Sequence, residues 1–311
     1  MSDLKFPNAK PDTGLDEPPV ASGKRDAPPR PRIYDQLATV YESAANLRFY
    51  QRLAHELADF ARTHQSGPLR PARSPQALDL ACGTGISTKM FSTELRDYHW
   101  TGADASPAMI AQAHHKLRGL SPGERPGLKV AHAEHLPFDD QSIDAVTCSY
   151  GMHWMTDAAF TEIDRVLKPR GWLALAIPLA RPLEPKNGNR ELIALARTIH
   201  AANSVHPNRN ARREPSPELI LSPWSRGMRT VDIEAAMSRW ITPQIDARQF
   251  DESFSSRDEW WQALYSRGCL AAIFPQGAPA AVPDPQSFSA GAVHFNWSYA
   301  LAYARKASRP N

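Results

Sequence analysis

The chain has 311 residues, of which 42% are hydrophobic and 22% are charged, a composition typical of a globular protein. This length is sufficient for one enlarged α/β domain with a sizeable hydrophobic core. The net charge of +3 is too small to favour binding to nucleic acid or to a membrane surface.

Cysteine usage and hydropathy favour a cytoplasmic location. The three cysteines, Cys82, Cys148 and Cys269, cannot all pair, and we interpret them as reduced thiols. No apolar run reaches the length of a membrane-spanning helix, and we expect neither a signal peptide nor a transit peptide at the N-terminus. Metal-ligand spacings such as C-x-x-C and H-E-x-x-H do not occur, so no metal site is predicted.

The N-terminal region divides into two parts. Residues 1–30 combine prolines and charges with almost no large apolar side chains. Such a segment cannot bury enough surface to offset the entropy of ordering, so we expect it to be disordered. Further along, Leu53, Leu57 and Phe60 recur at helical spacing, which predicts an amphipathic helix before the first strand.

From residue 76 the chain alternates predicted strands with predicted helices. The strands cover 76–81, 99–103, 127–131, 143–149 and 171–178, and the helices cover 86–95, 107–117 and 157–167. Ser106 followed by Pro107 is a strong helix-start signal, because an N-cap residue precedes proline at the first helical position. This alternation predicts a largely parallel sheet with helices on both faces. After Leu179 the pattern weakens, and helices are predicted only over 191–202 and 256–267.

The most specific motif is the sequence LDLACGTG, from Leu78 to Gly85. An apolar run ends in a turn of small residues and is followed by a helix, which is typical of the first strand–turn–helix of a nucleotide-binding sheet. Thr88 occupies the third slot of a G-x-G-x-x-G fingerprint, and no Lys-Ser/Thr follows the glycines, so neither a dinucleotide site nor a P-loop is indicated. Asp104 lies about twenty residues on, the usual distance for a carboxylate that binds ribose hydroxyls.

Together with four further blocks, this motif resembles the class I S-adenosyl-L-methionine (SAM)-dependent methyltransferases, specifically the type 11-like small-molecule enzymes. The blocks are WTGAD (100–104), AHAEHLPF (131–138), IDAVTCSYGMHW (143–154) and IDRVLKPRGWLALAI (163–177). The resemblance covers roughly residues 31–180, and its weight comes from the five blocks being in register.

The resemblance implies a Rossmann-like, doubly wound, seven-stranded sheet that is mostly parallel with an antiparallel last strand. It also implies a helical N-terminal segment and a cap insertion. We therefore divide the chain into a tail (1–30), a SAM-binding core (31–180), a substrate cap (181–243) and a C-terminal part of the core (244–311). In that last part, 244–251 and 294–304 are expected to form the final strand pair.

The same resemblance assigns cofactor contacts. Gly83 and Gly85 would let the backbone pass under SAM and its product S-adenosyl-L-homocysteine (SAH), because glycine has no Cβ. Asp79 would hold the ammonium side of the methionine moiety, or else serve as a helix-capping carboxylate. Asp104 would accept both ribose hydroxyls, with Ala105 nearby under the adenine.

The remaining predicted cofactor contacts come from three places. His132 occupies a position where relatives often have aspartate, and a neutral imidazole can still accept from the adenine amino group. The Ala133 amide could donate to the ring. Tyr34 and Tyr41 are seven residues apart, on one face of a predicted helix, and would either fold over the cofactor or pack as ordinary helix residues. Tyr150 follows the fourth strand, at the edge where ligands bind.

For the acceptor, His153 is the candidate catalytic base, because a histidine titrates near neutral pH. It could equally bind the cofactor or pack in its turn. The predicted acceptor contacts are Met152, Trp154, Trp260 and Trp261. A basic stretch over 209–229 could meet an anionic acceptor or form a solvated loop.

The predicted function is methyl transfer to oxygen or nitrogen of a small-molecule acceptor, in specialised metabolism. The alternatives are an RNA or protein methyltransferase and a non-catalytic SAM-binding protein. The tetrad after the fourth strand reads SYGM, whereas base and amide methylation typically uses an N-P-P-Y/F tetrad. No membrane partner is expected, nucleic acid is disfavoured, and the oligomeric state is left open.

Overall fold

The computed structural model describes residues 33–65, 75–179, 228–267 and 293–308. Its strands are β1 (Gln76–Leu80), β2 (His99–Asp104), β3 (Gly127–Val130), β4 (Ile143–Ser149), β5 (Leu167–Pro178), β6 (Ile241–Phe254) and β7 (Val293–Arg305). Its helices are α1 (Ile33–Leu37), α2 (Ala44–His64), α3 (Ile86–Glu94), α4 (Pro107–Leu117), α5 (Asp157–Val166), α6 (Thr230–Met237) and α7 (Arg257–Ser266).

The seven strands form one sheet in the order β3-β2-β1-β4-β5-β7-β6. Strands β1 to β5 pair in parallel, whereas β7 is antiparallel to both β5 and β6. The strand order reverses between β1 and β4, and the crevice at the carboxyl ends of such a switch point is where α/β sheets bind ligands. The predicted fold, a doubly wound and mostly parallel sheet with an antiparallel last strand, is confirmed.

The alternating side chains of β5 show how the sheet builds its core. Trp172, Ala174 and Ala176 join the cluster packed against α2, α3 and α7, whereas Leu173, Leu175 and Ile177 join the cluster packed against α5 and α6. Successive residues of a strand point to opposite faces, so a strand covered on both faces is apolar throughout.

The N-terminal segment differs from the sequence prediction. Tyr34 and Tyr41 do not lie on one helix, because α1 ends at Leu37 and α2 begins at Ala44. Between them, Ser43 has extended backbone and its side chain accepts from the Asn46 amide at 3.3 Å. Serine at an N-cap competes effectively with helix continuation, so the chain turns instead of carrying on as a helix.

Other boundaries agree closely with the prediction. The side chain of Ser106 caps α4 by accepting from the Met109 amide at 3.1 Å, as the Ser-Pro signal predicts. Strand β5 begins at Leu167 rather than at 171, and the final pair, β6 and β7, extends beyond the predicted 244–251 and 294–304.

Several predictions fall outside the described residues. These are the tail over 1–30, the helix over 191–202, Cys269 and all of the cap (181–243) before Met228. Of the basic stretch, Arg229 is described, and its guanidinium pairs with Asp232 at 2.7 Å. Within the described parts of the chain, no helix is both long enough and apolar enough to cross a membrane.

Candidate active site

The turn after β1 has a left-handed backbone at three positions. Ala81, Gly83 and Gly85 have φ of 55°, 54° and 80°. A Cβ built on Gly85 would lie 3.2 Å from the Cβ of Ala113 on α4, whereas one on Gly83 would have the Cε1 of Tyr41 as its nearest neighbour, at 3.9 Å. Gly85 thus lets α3 and α4 pack closely, and Gly83 keeps the floor of a cavity open.

Asp104 ends β2 at the rim of this cavity. Its two carboxylate oxygens each accept one backbone amide, from Gly83 and from Ser106, both at 2.9 Å. Burial raises the pKa of Asp104, and the two amide donors and the nearby His132 oppose that rise. Each oxygen accepts one backbone hydrogen bond and retains acceptor capacity for a ligand hydroxyl.

Asp79 lies inside β1 and is fully buried. It accepts hydrogen bonds from the hydroxyls of Ser87 and Thr88 at 2.7 and 2.6 Å, and from Thr147 at 3.2 Å. Burial raises its pKa to about 6 against those three donors. Its side chain does not line the cavity, so its predicted contact with an ammonium group stays a prediction.

The turn after β4 forms the opposite wall. Tyr150 adopts φ 71°, and a short 3₁₀ helix follows over Met152–Trp154. His153 is buried, with its ring 5.1 Å from that of Trp154 and 6.0 Å from that of Tyr150. Met152 points the other way, into the core on the α5 side of the sheet.

The segment from Ile33 to Ser43, which we call the cover, contributes Tyr34 and Tyr41 to the wall of the cavity. The ring of Tyr34 contacts Trp154 edge-on at 5.7 Å, and Tyr41 stacks on Tyr50 at 5.2 Å. Two polar contacts hold the cover to α4: Asp35 accepts from Ser106, and Glu42 pairs with Lys116. Aromatic rings therefore line the cavity next to the Gly83 turn.

The enclosed cavity has a volume of about 420 Å³. The predicted site residues that line it are Tyr34, Tyr41, Gly83, Asp104, Ala105, His132, Ala133, Tyr150, His153 and Trp154. Among the described residues of its wall, none is lysine or arginine, and the acidic ones are Asp104 and Glu134. Glu134 accepts from the Thr156 amide at 3.0 Å. The cavity is thus suited to a neutral or cationic ligand.

The structure does not bring all predicted residues to the cavity. Gly85 and Asp79 lie behind its wall, and Met152 lies in the core. Trp260 on α7 is 1% exposed and packs in the cluster beside α2, and it does not line this cavity. Trp261 lies on the same helix, but its side chain is outside the description.

Sequence reasoning missed Tyr50, which lines the cavity from α2. It lies three residues before Leu53, on the apolar face of that helix, so periodicity alone makes it a core residue. Met109 also lines the cavity while remaining buried. Helical spacing predicts which side chains face inward, but not which of them border a cavity.

Comparison with known proteins shows which proteins the chain is similar to. Residues 77–171 match the family model described as "Methyltransferase domain". Demethylmenaquinone methyltransferase of Lactiplantibacillus plantarum is 31% identical over 156 residues, which are 49% of this chain and 63% of that protein. Malonyl-[acyl-carrier protein] O-methyltransferase of Alcanivorax borkumensis is 37% identical over 108 residues, 34% of this chain and 36% of that protein. The chain thus spans less than two thirds of the length of these relatives.

Among solved structures, phosphoethanolamine N-methyltransferase 2 of Haemonchus contortus in complex with S-adenosyl-L-methionine aligns with a TM-score of 0.50 and 15% identity. The alignment covers 89% of this chain and 60% of that one. At this identity the likeness concerns the fold alone.

Proposed function

Because residues 77–171 belong to the methyltransferase domain family, we propose that the protein transfers a methyl group from SAM to a small-molecule acceptor and releases SAH. The observation that carries this proposal is Asp104 at the switch point of the sheet. Two backbone amides at 2.9 Å orient its carboxylate. The carboxylate lies on the wall of a cavity that aromatic rings also line.

Three features of the cavity wall support an adenosyl ligand. Asp104 has one acceptor position left on each oxygen, which suits the two hydroxyls of a ribose. Met109 and Ala133 also line the cavity and offer apolar surface for adenine. A Cβ on Gly83 would have Tyr41 as its nearest neighbour, so glycine leaves room there for the amino-acid end of SAM.

When bound, SAM supplies an electrophilic methyl carbon on a positively charged sulfur. The protein's part is to hold the acceptor in line with that carbon and to exclude water, and a preorganised close approach accounts for much of such rate enhancements. We propose that the cover, with Tyr34 against Trp154 and Tyr41 against Tyr50, limits the access of water to the cavity. The described wall contains no lysine or arginine, so no basic side chain there repels the positively charged sulfur of SAM, which favours its binding.

The side chains of the cavity wall also limit which classes of acceptor can bind. A carboxylate or phosphate acceptor would meet no lysine or arginine in the described wall, whereas a planar ring would meet the rings of Tyr34, Trp154 and His153. We therefore propose a neutral aromatic acceptor, methylated on oxygen, nitrogen or ring carbon. The name of the demethylmenaquinone methyltransferase relative supports a ring acceptor. We propose that His153, which lines the cavity, accepts the proton that the acceptor loses.

The experiment incubates the protein with methyl-labelled SAM and a panel of hydroquinones, catechols, arylamines and aromatic carboxylates, followed by mass spectrometry. We expect a mass gain of one methyl group on a neutral ring, and none with Asp104→Ala. Exclusive methylation of carboxylates would contradict the proposed acceptor. The absence of any transfer, despite SAH binding, would favour a non-catalytic SAM-binding protein.

A further inference from the structure

A buried ion pair lies outside the set of residues that line the cavity. Arg267 follows α7 and is completely inaccessible to solvent, and Glu252 on β6 is 9% exposed. The guanidinium binds the carboxylate with both terminal nitrogens, at 2.7 Å each. Burying a charged pair costs more desolvation free energy than burying apolar side chains of the same volume, so such pairs are weak evidence for a stabilising role.

The same guanidinium fixes an amide on α2. The Nε of Arg267 donates to the Oδ1 of Asn46 at 2.7 Å, and this bond leaves the Nδ2 of Asn46 facing the other way. That Nδ2 donates to the backbone carbonyl of Tyr41 at 2.7 Å and to the hydroxyl of Ser266 at 2.9 Å. The chain of contacts thus runs from Arg267 through Asn46 to the main chain of the cover.

Aromatic packing gives a second path from Arg267 to the cavity. The guanidinium lies over the ring of Phe49, 4.3 Å from its centroid. Phe49 in turn contacts Tyr50 at 5.0 Å and Tyr150 at 5.3 Å, and both tyrosines line the cavity. The planar guanidinium can stack and make bidentate hydrogen bonds at once, which a lysine ammonium cannot.

We propose that Arg267 is a positioning residue, which acts through Asn46 and Phe49 to hold the cover and the cavity tyrosines in place for ligand binding. The ion pair with Glu252 orients the guanidinium, and the oriented guanidinium orients the Asn46 amide. The part of this inference that concerns ligand binding rests on the proposed function, because SAH is the ligand expected beneath the cover.

The test uses Asn46→Asp, which keeps the oxygen that faces Arg267 and replaces the donor to Tyr41 with a repelling oxygen. An aspartate in the first turn of α2 is compatible with the helix dipole, so the helix should remain intact. Ser266→Ala is the matched control, because it removes the other partner of the same amide without touching the cover. Arg267→Lys is the second variant: it keeps the charge beside Glu252 but lacks the Nε that holds Asn46.

Two quantities are measured in the full-length protein: hydrogen exchange of amides 33–43 without ligand, and SAH affinity by calorimetry. We expect exchange about tenfold faster and affinity about tenfold weaker in Asn46→Asp and Arg267→Lys, since one lost buried hydrogen bond changes an equilibrium by roughly that factor. Ser266→Ala should change neither. If melting temperature falls while cover exchange and affinity stay at wild-type values, the pair is only structural and the inference is overturned. If the wild-type protein does not bind SAH, the proposed function fails, and the exchange measurement still decides the positioning role.

Discussion

Substituting alanine at Gly83 and at Gly85 tests the geometry of the site. We expect the change at Gly85 mainly to lower stability and the change at Gly83 mainly to lower the affinity for SAH. Both glycines have left-handed backbone, with φ of 54° and 80°, where alanine costs roughly 1–2 kcal/mol. At Gly85 the added Cβ would also lie 3.2 Å from the Cβ of Ala113 and 3.4 Å from the Cδ1 of Leu117, and overpacking adds typically about 1–3 kcal/mol. At Gly83 the nearest atom, at 3.9 Å, is an ordinary contact.

In urea unfolding we therefore expect Gly83→Ala to lose about 1–2 kcal/mol and Gly85→Ala about 2–5 kcal/mol, with unchanged m-values. For SAH affinity, measured by calorimetry, we expect the reverse order: Gly83→Ala should lose more affinity than Gly85→Ala. The new Cβ at Gly83 projects into the space beneath Tyr41, whereas the one at Gly85 faces α4. Equal losses of stability, or wild-type affinity in Gly83→Ala, would refute this geometry.

Three further substitutions separate stability from function. Burial raises the pKa of Asp79 from 3.8 to about 6, so its protonated form favours the folded state. The resulting stability is fully present below pH 3.8 and is lost as the pH rises to about 6, an effect of about 3 kcal/mol. In chemical denaturation, Asp79→Asn should lack this loss between pH 4 and 6, and identical pH profiles would contradict it. His153→Gln should retain SAH affinity while turnover drops by roughly 10²–10⁴-fold, and unchanged turnover would remove the base role. Trp260→Leu should lower the free energy of unfolding by about 2 kcal/mol or more with unchanged acceptor KM, and a raised KM would return Trp260 to the acceptor wall.

Local signals in the sequence predicted most of the core fold. The Ser106-Pro107 start of α4, the strand over 143–149 and the apolar run of β5 depend on capping and periodicity, which act within a few residues. The predicted helix joining Tyr34 and Tyr41 is wrong for a local reason too, because Ser43 is the N-cap of α2, which begins only after Tyr41.

Residues joined across the chain could not be predicted this way. Trp260 has the aromatic character expected of a pocket wall, but only the packing of α7 against α2 shows that it lies in the core. Asn46 and Arg267 are 221 positions apart, and nothing in the local sequence around either indicates the other. Tyr50 is distinguished from its core neighbours only by the cavity that the cover encloses.

In the proposed function, the crevice at the carboxyl ends of β1, β2 and β4 binds the adenosyl cofactor through Asp104. The decisive measurement is calorimetric titration of SAH into the wild-type protein, Asp104→Asn and the control Asp97→Asn, which alters an exposed residue. We predict saturable binding that weakens at least about tenfold in Asp104→Asn, because charge-assisted hydrogen bonds are lost, and that is unchanged in Asp97→Asn. Equal affinity in all three proteins, or no binding to the wild type, would contradict cofactor binding through Asp104 in this crevice.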